Sequence, residues 1–299
     1  KDRSMQALYA QLLVGLINGS FYALLSLGLA VIFGMLNIIN FAHGALYMMG
    51  AFCAYFLLSL TGIGYWWALL IAPIVVGIFG MILERTMLQW LTGLDHLYGL
   101  LLTFGIALIV QGVFQNYFGS SGLPYAIPDY PQVGGWRGLQ GGINLGFMFL
   151  PIYRGWVIVA SLVVCLAAWY VIERTSLGAT LRAATQRPDL VQALGINVPV
   201  LVTATYAAGT ALAAFAGVLA APVVQVNPVM GSNLIIVVFA VVVIGGMGSI
   251  AGAILTGLGL GLVEGLTKVV YPEASAVVIF VIMIFVLLFR PAGLFGKQA

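Results

Sequence analysis

Of 299 residues, 63% are hydrophobic and only 6% are charged, eleven Lys or Arg against eight Asp or Glu, where a soluble globular domain carries roughly 25% charge. Together with a mean hydropathy of +1.14, this excludes a soluble enzyme, whose surface would need several times as much charge. A formal net charge of +3 without any basic stripe excludes a nucleic-acid binder as well.

Charge spacing tells more than charge total. No Asp, Glu, Lys or Arg occurs between Arg3 and Glu84 or between Asp189 and Glu264, and shorter voids cover 96–128 and 155–172. A spanning helix needs ~20 mostly apolar residues, so each long void holds several helices joined by uncharged turns. The runs are continuous, as in LIIVVFAVVVIGG at 234–246, and lack the alternation of a transmembrane barrel. The expected fold is all-α: one polytopic transmembrane helical bundle over 1–299, with eight or nine membrane segments, one of them discontinuous. In chain order the segments fall near 8–36, 41–60, 66–88, 98–118, 152–172, 199–222, 232–247, 249–268 and 274–290.

The first two segments are separated by MLNIINFAHG at 35–44. Asn37, Asn40 and His43 make this the densest polar cluster inside an apolar stretch. A helix broken there leaves backbone groups unpaired, which is tolerable only against protein or a wet cavity. Intramembrane polar residues often mark a solute route, so Asn37, Asn40 and His43 are candidates to line one, with Asn18, Ser20 and Ser26 of the first helix facing the same cavity. The alternative role for Asn37, Asn40 and His43 is to cap the broken helix ends, with His43 satisfied by a neighbouring carbonyl, and serines such as Ser20 and Ser26 can simply bond their own helix.

Two connections are long. The 119–151 loop is rich in Gly and Pro and reads as a folded, water-exposed cap. The 173–198 loop carries Arg174, Arg182 and Arg187, which place it in the cytoplasm, as Arg290 and Lys297 place the C-terminus. The loop 119–151 is then external. Nine full crossings put the N-terminus outside, and eight, with 41–60 dipping in and returning, put it inside.

Within the cytoplasmic loop, Pro188 suits a first helical position, Asp189 the positive end of a helix, and Gly195 its stop. A two-turn helix held in water by a membrane protein has to dock on something. Ala183, Ala184 and Ala193 permit close approach, and Leu190, Leu194 and Ile196 supply apolar grip. Towards the C-terminus, Gly248, Gly252, Gly257 and Gly261 recur near intervals of four, as do Gly15 and Gly19, a spacing for close helix packing. Glu264 and Lys268 stand four apart and can pair on one helix face near an external membrane edge. INFAHGALYMMG (39–50) and MGSIAGAILTG (247–257) faintly echo one another, as the duplicated halves of transporters do.

No catalytic constellation emerges. Cys53 and Cys165 sit in apolar runs without metal-ligand spacing, and GLFGKQ at 293–298 lacks the spacing and hydroxyl of a phosphate-binding loop. The chain is read as no enzyme, with no cofactor and no metal.

Five stretches in this order, INFAHGALYMMGA, LERTMLQWL followed by LLTFGIALIVQ, RTSLGATLRAATQRPDLVQALGIN, IGGMGSIAGA and RPAGLFG, resemble the permease subunits of LIV-type ABC importers, the branched-chain amino acid uptake family. The resemblance implies one half of a heterodimeric pore in the bacterial inner membrane. Its partners would be a related permease, two ATP-binding subunits on the cytoplasmic side and an external solute-binding protein. By the motif match, Arg182, Ala184, Asp189, Ala193 and Gly195 would sit at the ATPase surface, and Asn40 and His43 beside the translocation route. Two places depart from the family pattern: Leu88-Gln89-Trp90-Leu91 stands where RPLR or RPVR is common, and Val237 where a Lys often precedes the Phe. The implied cargo is a branched-chain amino acid. The family's urea, short-amide and aromatic-acid carriers are the nearest alternatives, and a passive channel for a small neutral solute is a more distant one.

Overall fold

The computed structural model describes residues 2–36, 38–91, 94–127 and 138–296. Eleven α-helices are present among them: α1 (Asp2–Leu36), α2 (Ala42–Thr61), α3 (Tyr65–Thr86), α4 (His96–Phe118), α5 (Ile152–Arg174), α6 (Ser176–Gln186), α7 (Pro188–Ala193), α8 (Val198–Val224), α9 (Met230–Gly245), α10 (Ile250–Val270) and α11 (Val278–Phe289). Seven, namely α1 to α5, α8 and α10, are long and apolar enough to cross a membrane. The chain is a multi-pass membrane protein.

Each of the nine expected apolar segments is a helix, but α9 and α11 are only 16 and 12 residues long. At a rise of ~1.5 Å per residue they fall short of a hydrocarbon layer ~30 Å thick. Before α9 the chain is not helical: Gln225 takes φ 62°, and Val226 pairs with Leu123 through N–H···O bonds of 3.0 and 2.7 Å. A second departure lies in the 119–151 loop, where β1 (Gly142–Asn144) and β2 (Phe149–Pro151) form an antiparallel hairpin. The Asn144 side chain accepts the Gly146 N–H at 2.9 Å and closes the turn.

The bundle has an arginine end, carrying Arg174, Arg182, Arg187 and Arg290, and a hairpin end. Helix α1 starts at the hairpin end, where the Tyr9 ring lies 5.8 Å from Phe147. It finishes at the arginine end, where Gly34 shares a crevice with Ile172, Arg182 and Gly248. Helix α2 then runs back beside α4: the Phe41 N–H donates to Thr103 Oγ1 at 3.1 Å, and the Phe52 ring sits 5.2 Å from Phe118. So α2 runs on beside α4 instead of dipping and returning.

Helix α1 forms the spine, buried continuously from Gly19 to Ile32. Its small residues let α10 approach to backbone contact: a Cβ on Gly261 would overlap Gly19 and Gly15 backbone atoms, and one on Gly257 would come 2.5 Å from Ala23 N. Gly252 meets Gly245 in the same way. Gly248 is different. It lies outside α10, at φ 83° in the turn ahead of the Ser249 cap, so it shapes the entry to the helix and does not belong to the packing stripe. Membrane helices gain little from apolar burial against each other, and close van der Waals fit with polar cross-links takes its place. Ser26 Oγ supplies one such link, 3.1 Å from the Ala253 carbonyl. Glu264 supplies another: it pairs with Lys268 Nζ at 2.5 Å and accepts the Tyr22 hydroxyl at 2.8 Å.

At the hairpin end the interior is closed by aromatic residues. The Tyr153 hydroxyl donates to the Leu219 carbonyl at 2.9 Å and lies 3.1 Å from the Tyr65 hydroxyl, which accepts the Trp156 indole N–H at 3.0 Å. Burial, with Tyr65 close by, pushes the loop residue Tyr125 up to about 12.

Candidate functional site

The break between α1 and α2 is held by polar side chains from other helices. Asn37 lies outside the described residues. Ile38 is buried against Gly99 of α4, where a Cβ would come 2.7 Å from its Cγ2. Thr103 of α4 does most of the stitching: its hydroxyl accepts the Phe41 N–H at 3.1 Å and lies 3.2 Å from the Ile39 carbonyl and 3.1 Å from that of Leu100. A threonine buried opposite a helix break thus meets orphan backbone groups that lipid could not satisfy. Thr103→Val keeps the shape and removes these bonds. It is expected to cost about 1–3 kcal/mol, the usual penalty for a buried group left unpaired, read as a lower unfolding temperature of the solubilised protein. Thr61→Val, at the exposed end of α2, is expected to leave that temperature near wild type.

Asn40 is almost fully buried, and its amide donates to the Tyr206 hydroxyl of α8 at 2.9 Å. Its Oδ1 is buried without a partner among the described residues. Tyr206 in turn lies within electrostatic reach of Glu84, whose Oε2 accepts the Thr203 hydroxyl at 2.6 Å. The Arg85 Nε–H donates to that same hydroxyl at 3.2 Å. A polar line therefore leads from the helix break towards the arginine end, through Asn40, Tyr206, Glu84 and Thr203.

His43 is not on that line. It is wholly buried, with Nε2 3.1 Å from the Leu25 carbonyl of α1, beside a void with no room for a water molecule. A Cβ on Gly28 would come 2.9 Å from its ring, so the ring is wedged between helices. Asn18 is half-buried on α1, about two turns from Leu25, and does not join the break. Ser20 bonds back to the Leu16 carbonyl at 2.8 Å. Of the polar residues singled out in the sequence, Asn40 alone among those described reaches a polar side chain of another helix at the break. Its partners Tyr206 and Glu84 were missed, although Glu84 is the first charge after the long empty run.

The 173–198 loop folds into two helices where one was expected. Helix α7 begins with Pro188 at its first turn and stops before Gly195 at φ 85°. Helix α6 precedes it. Ala184 is buried against Val191 and Val198, because α6 and α7 fold back on the start of α8. It holds the pair together from inside and is shut off from the outer surface. Arg182 bonds the Ile172 carbonyl and lies 3.6 Å from Glu173, which ties α6 to the end of α5. Asp189, Ala193 and Gly195 are exposed, and Leu190 and Leu194 are 59% and 79% exposed. The arginine end therefore presents a short helix with bare leucines and an acidic first turn.

Residues 11–287 match the family model described as branched-chain amino acid transport system / permease component. The chain is similar to the high-affinity branched-chain amino acid transport system permease protein BraD of Pseudomonas aeruginosa, 33% identical over 96% of this chain and 95% of that protein. It is similar also to LivH of Escherichia coli K12, 30% identical over 98% of both chains. LivM of the same organism is 27% identical over 91% of this chain and 67% of its own length. No solved structure matches.

Proposed function

Because this chain belongs to the branched-chain amino acid transport system permease family, we propose that it forms one half of the pore of an ATP-driven importer of branched-chain amino acids in the bacterial cytoplasmic membrane. The observation that carries the reading is the α6–α7 unit: a tied, partly buried pair of helices whose outward side is Asp189, Leu190 and Leu194. Leucines left bare on a water-facing helix call for a protein partner, and the arginine residues at the same end put that partner in the cytoplasm. The other half of the pore is a second permease of the same family. The likeness to both LivH and LivM of one organism, each named as a high-affinity branched-chain amino acid transport system permease protein, supports such a pairing.

In this reading two ATPase subunits seat α7, and a soluble binding protein delivers cargo at the hairpin end. ATP favours the closed ATPase pair, α7 moves with it, and the permease halves rock between outward and inward openings. ATP drives this only by binding one state more tightly than the other. The test is uptake by vesicles containing the chain with its partner permease, both ATPases and the binding protein. Radiolabelled leucine is expected to accumulate against its gradient only when ATP is present. Equilibration without ATP would make the chain a channel, and uphill accumulation by the chain alone would overturn the assembly. A thermal-shift panel on the binding protein separates leucine from urea, short amides and aromatic acids.

A further inference from the structure

At the arginine end a cavity of about 410 Å³ opens between α7, the turn before α4 and the ends of α1, α3 and α8. This is within the ~300–1,000 Å³ range of small-molecule pockets. Glu84 lines it, although the residue is only 3% exposed. Its single hydrogen bond among the described residues is the one from Thr203 to Oε2. Asp95, which caps α4 by accepting the Leu97 N–H at 2.9 Å, is the second carboxylate in the lining, and the lining contains no Lys or Arg. Ile38 and Val202 contribute apolar wall, and Pro188 and Gln192 of α7 close the remaining side.

A carboxylate taken out of water and given only one hydroxyl is costly unless a cation meets it; the nearby Arg85 Nε–H is spent on that Thr203 hydroxyl at 3.2 Å and forms no ion pair with the carboxylate among the described residues. A charge-assisted N–H···O bond in such a place is short and strong. We infer that this cavity is a binding site for the ammonium end of a small aliphatic molecule, an amino acid of the transported class, with Glu84 taking the ammonium and Ile38 and Val202 the hydrocarbon. The inference rests on the amino-acid reading above and adds a site to it. Since α7 supplies one wall and the bundle the others, an occupant touches both the lever and the body it moves against.

The experiment is equilibrium binding by the full chain in detergent, with three probes: L-leucine, 3-methylbutan-1-amine, which lacks the carboxylate, and 4-methylpentanoate, which lacks the ammonium. Leucine and the amine are expected to bind and the acid to bind at least about tenfold more weakly, equivalent to ~1.4 kcal/mol. Glu84→Gln retains an acceptor for Thr203 and is expected to weaken leucine and the amine by a similar factor. Gln192→Trp, a change on the exposed helix α7, fills the cavity and is expected to abolish binding without disturbing the bundle. Equal binding of the acid and the amine, an unchanged Glu84→Gln, or no binding at all overturns the site. These results stand apart from the vesicle assay: ATP-dependent leucine uptake with no amine binding removes the site and keeps the importer, and amine binding without any amino-acid uptake does the reverse.

Discussion

Gly261→Val is expected to yield almost no monodisperse protein, whereas Gly259→Val, two residues away on the same helix, is expected to behave as wild type. At position 261 a Cβ would overlap the backbone of Gly19 and the Gly15 carbonyl, and at 259 it would meet nothing within 4 Å. Over-packing costs about 1–3 kcal/mol where neighbouring side chains can move aside. Here the obstacles are backbone atoms of a helix buried continuously from Gly19 to Ile32, so α1 and α10 would have to separate. Separation also strains the Ser26–Ala253 and Tyr22–Glu264 bonds. A loss above ~3 kcal/mol is a large share of a typical stability of 5–15 kcal/mol. Size-exclusion profiles and unfolding temperatures of the two variants measure this directly. Equal profiles would mean that α1 and α10 are not packed through their glycines.

Asp189→Lys and Gly195→Val are expected to leave the bundle folded and to cut both ATPase co-purification and uptake by at least about tenfold, ~1.4 kcal/mol of binding. Asp189 sits in the first turn of α7, where a negative charge suits the helix end and a positive one does not. Reversing it also changes the sign of the only acidic group on α7. Gly195 is at φ 85° with open space around it, so a side chain there would clash with nothing and its effect would be conformational. Left-handed backbone costs an ordinary residue ~1–2 kcal/mol, and a β-branched residue fits it worst. The turn from α7 into α8 would re-form and point Leu194 elsewhere. Asn tolerates that backbone, so Gly195→Asn is expected to keep most coupling. If Asp189→Lys and Gly195→Val both retain their ATPases and uptake, α7 is not the docking element.

Local features of the chain were the readable ones. The apolar runs announce their helices because length and hydropathy alone decide whether a segment suits lipid. Pro188 and Gly195 bracket α7 through backbone rules that act within a few residues. By contrast, α6 was not foreseen: SLGATLRAATQ at 176–186 has too few apolar residues to look like a buried helix, and it is held by Ala184 packing on Val191 and Val198 from further along the chain. Ala184 itself looks like surface in a sequence, because a small residue serves equally well outside or inside.

The polar residues show the same division. Asn40, His43 and Glu84 stand out by type, since each sits in or beside a stretch with almost no other polar chemistry. What each does depends on helices 18 to 166 residues away: Leu25 closes His43 in, and Tyr206 draws Asn40 towards α8. Composition and charge spacing on their own determined that this is a helical membrane protein and how its nine apolar segments fall, and turn chemistry determined where the short helix α7 begins and ends. Only the tertiary structure decided that α2 runs on beside α4, that α1 and α10 meet backbone to backbone, and that Glu84 faces a cavity beneath α7. The physical reason is that hydropathy and turn chemistry act along the chain, whereas partner choice for a buried polar group or a glycine face is made across helices that the order of residues does not place side by side.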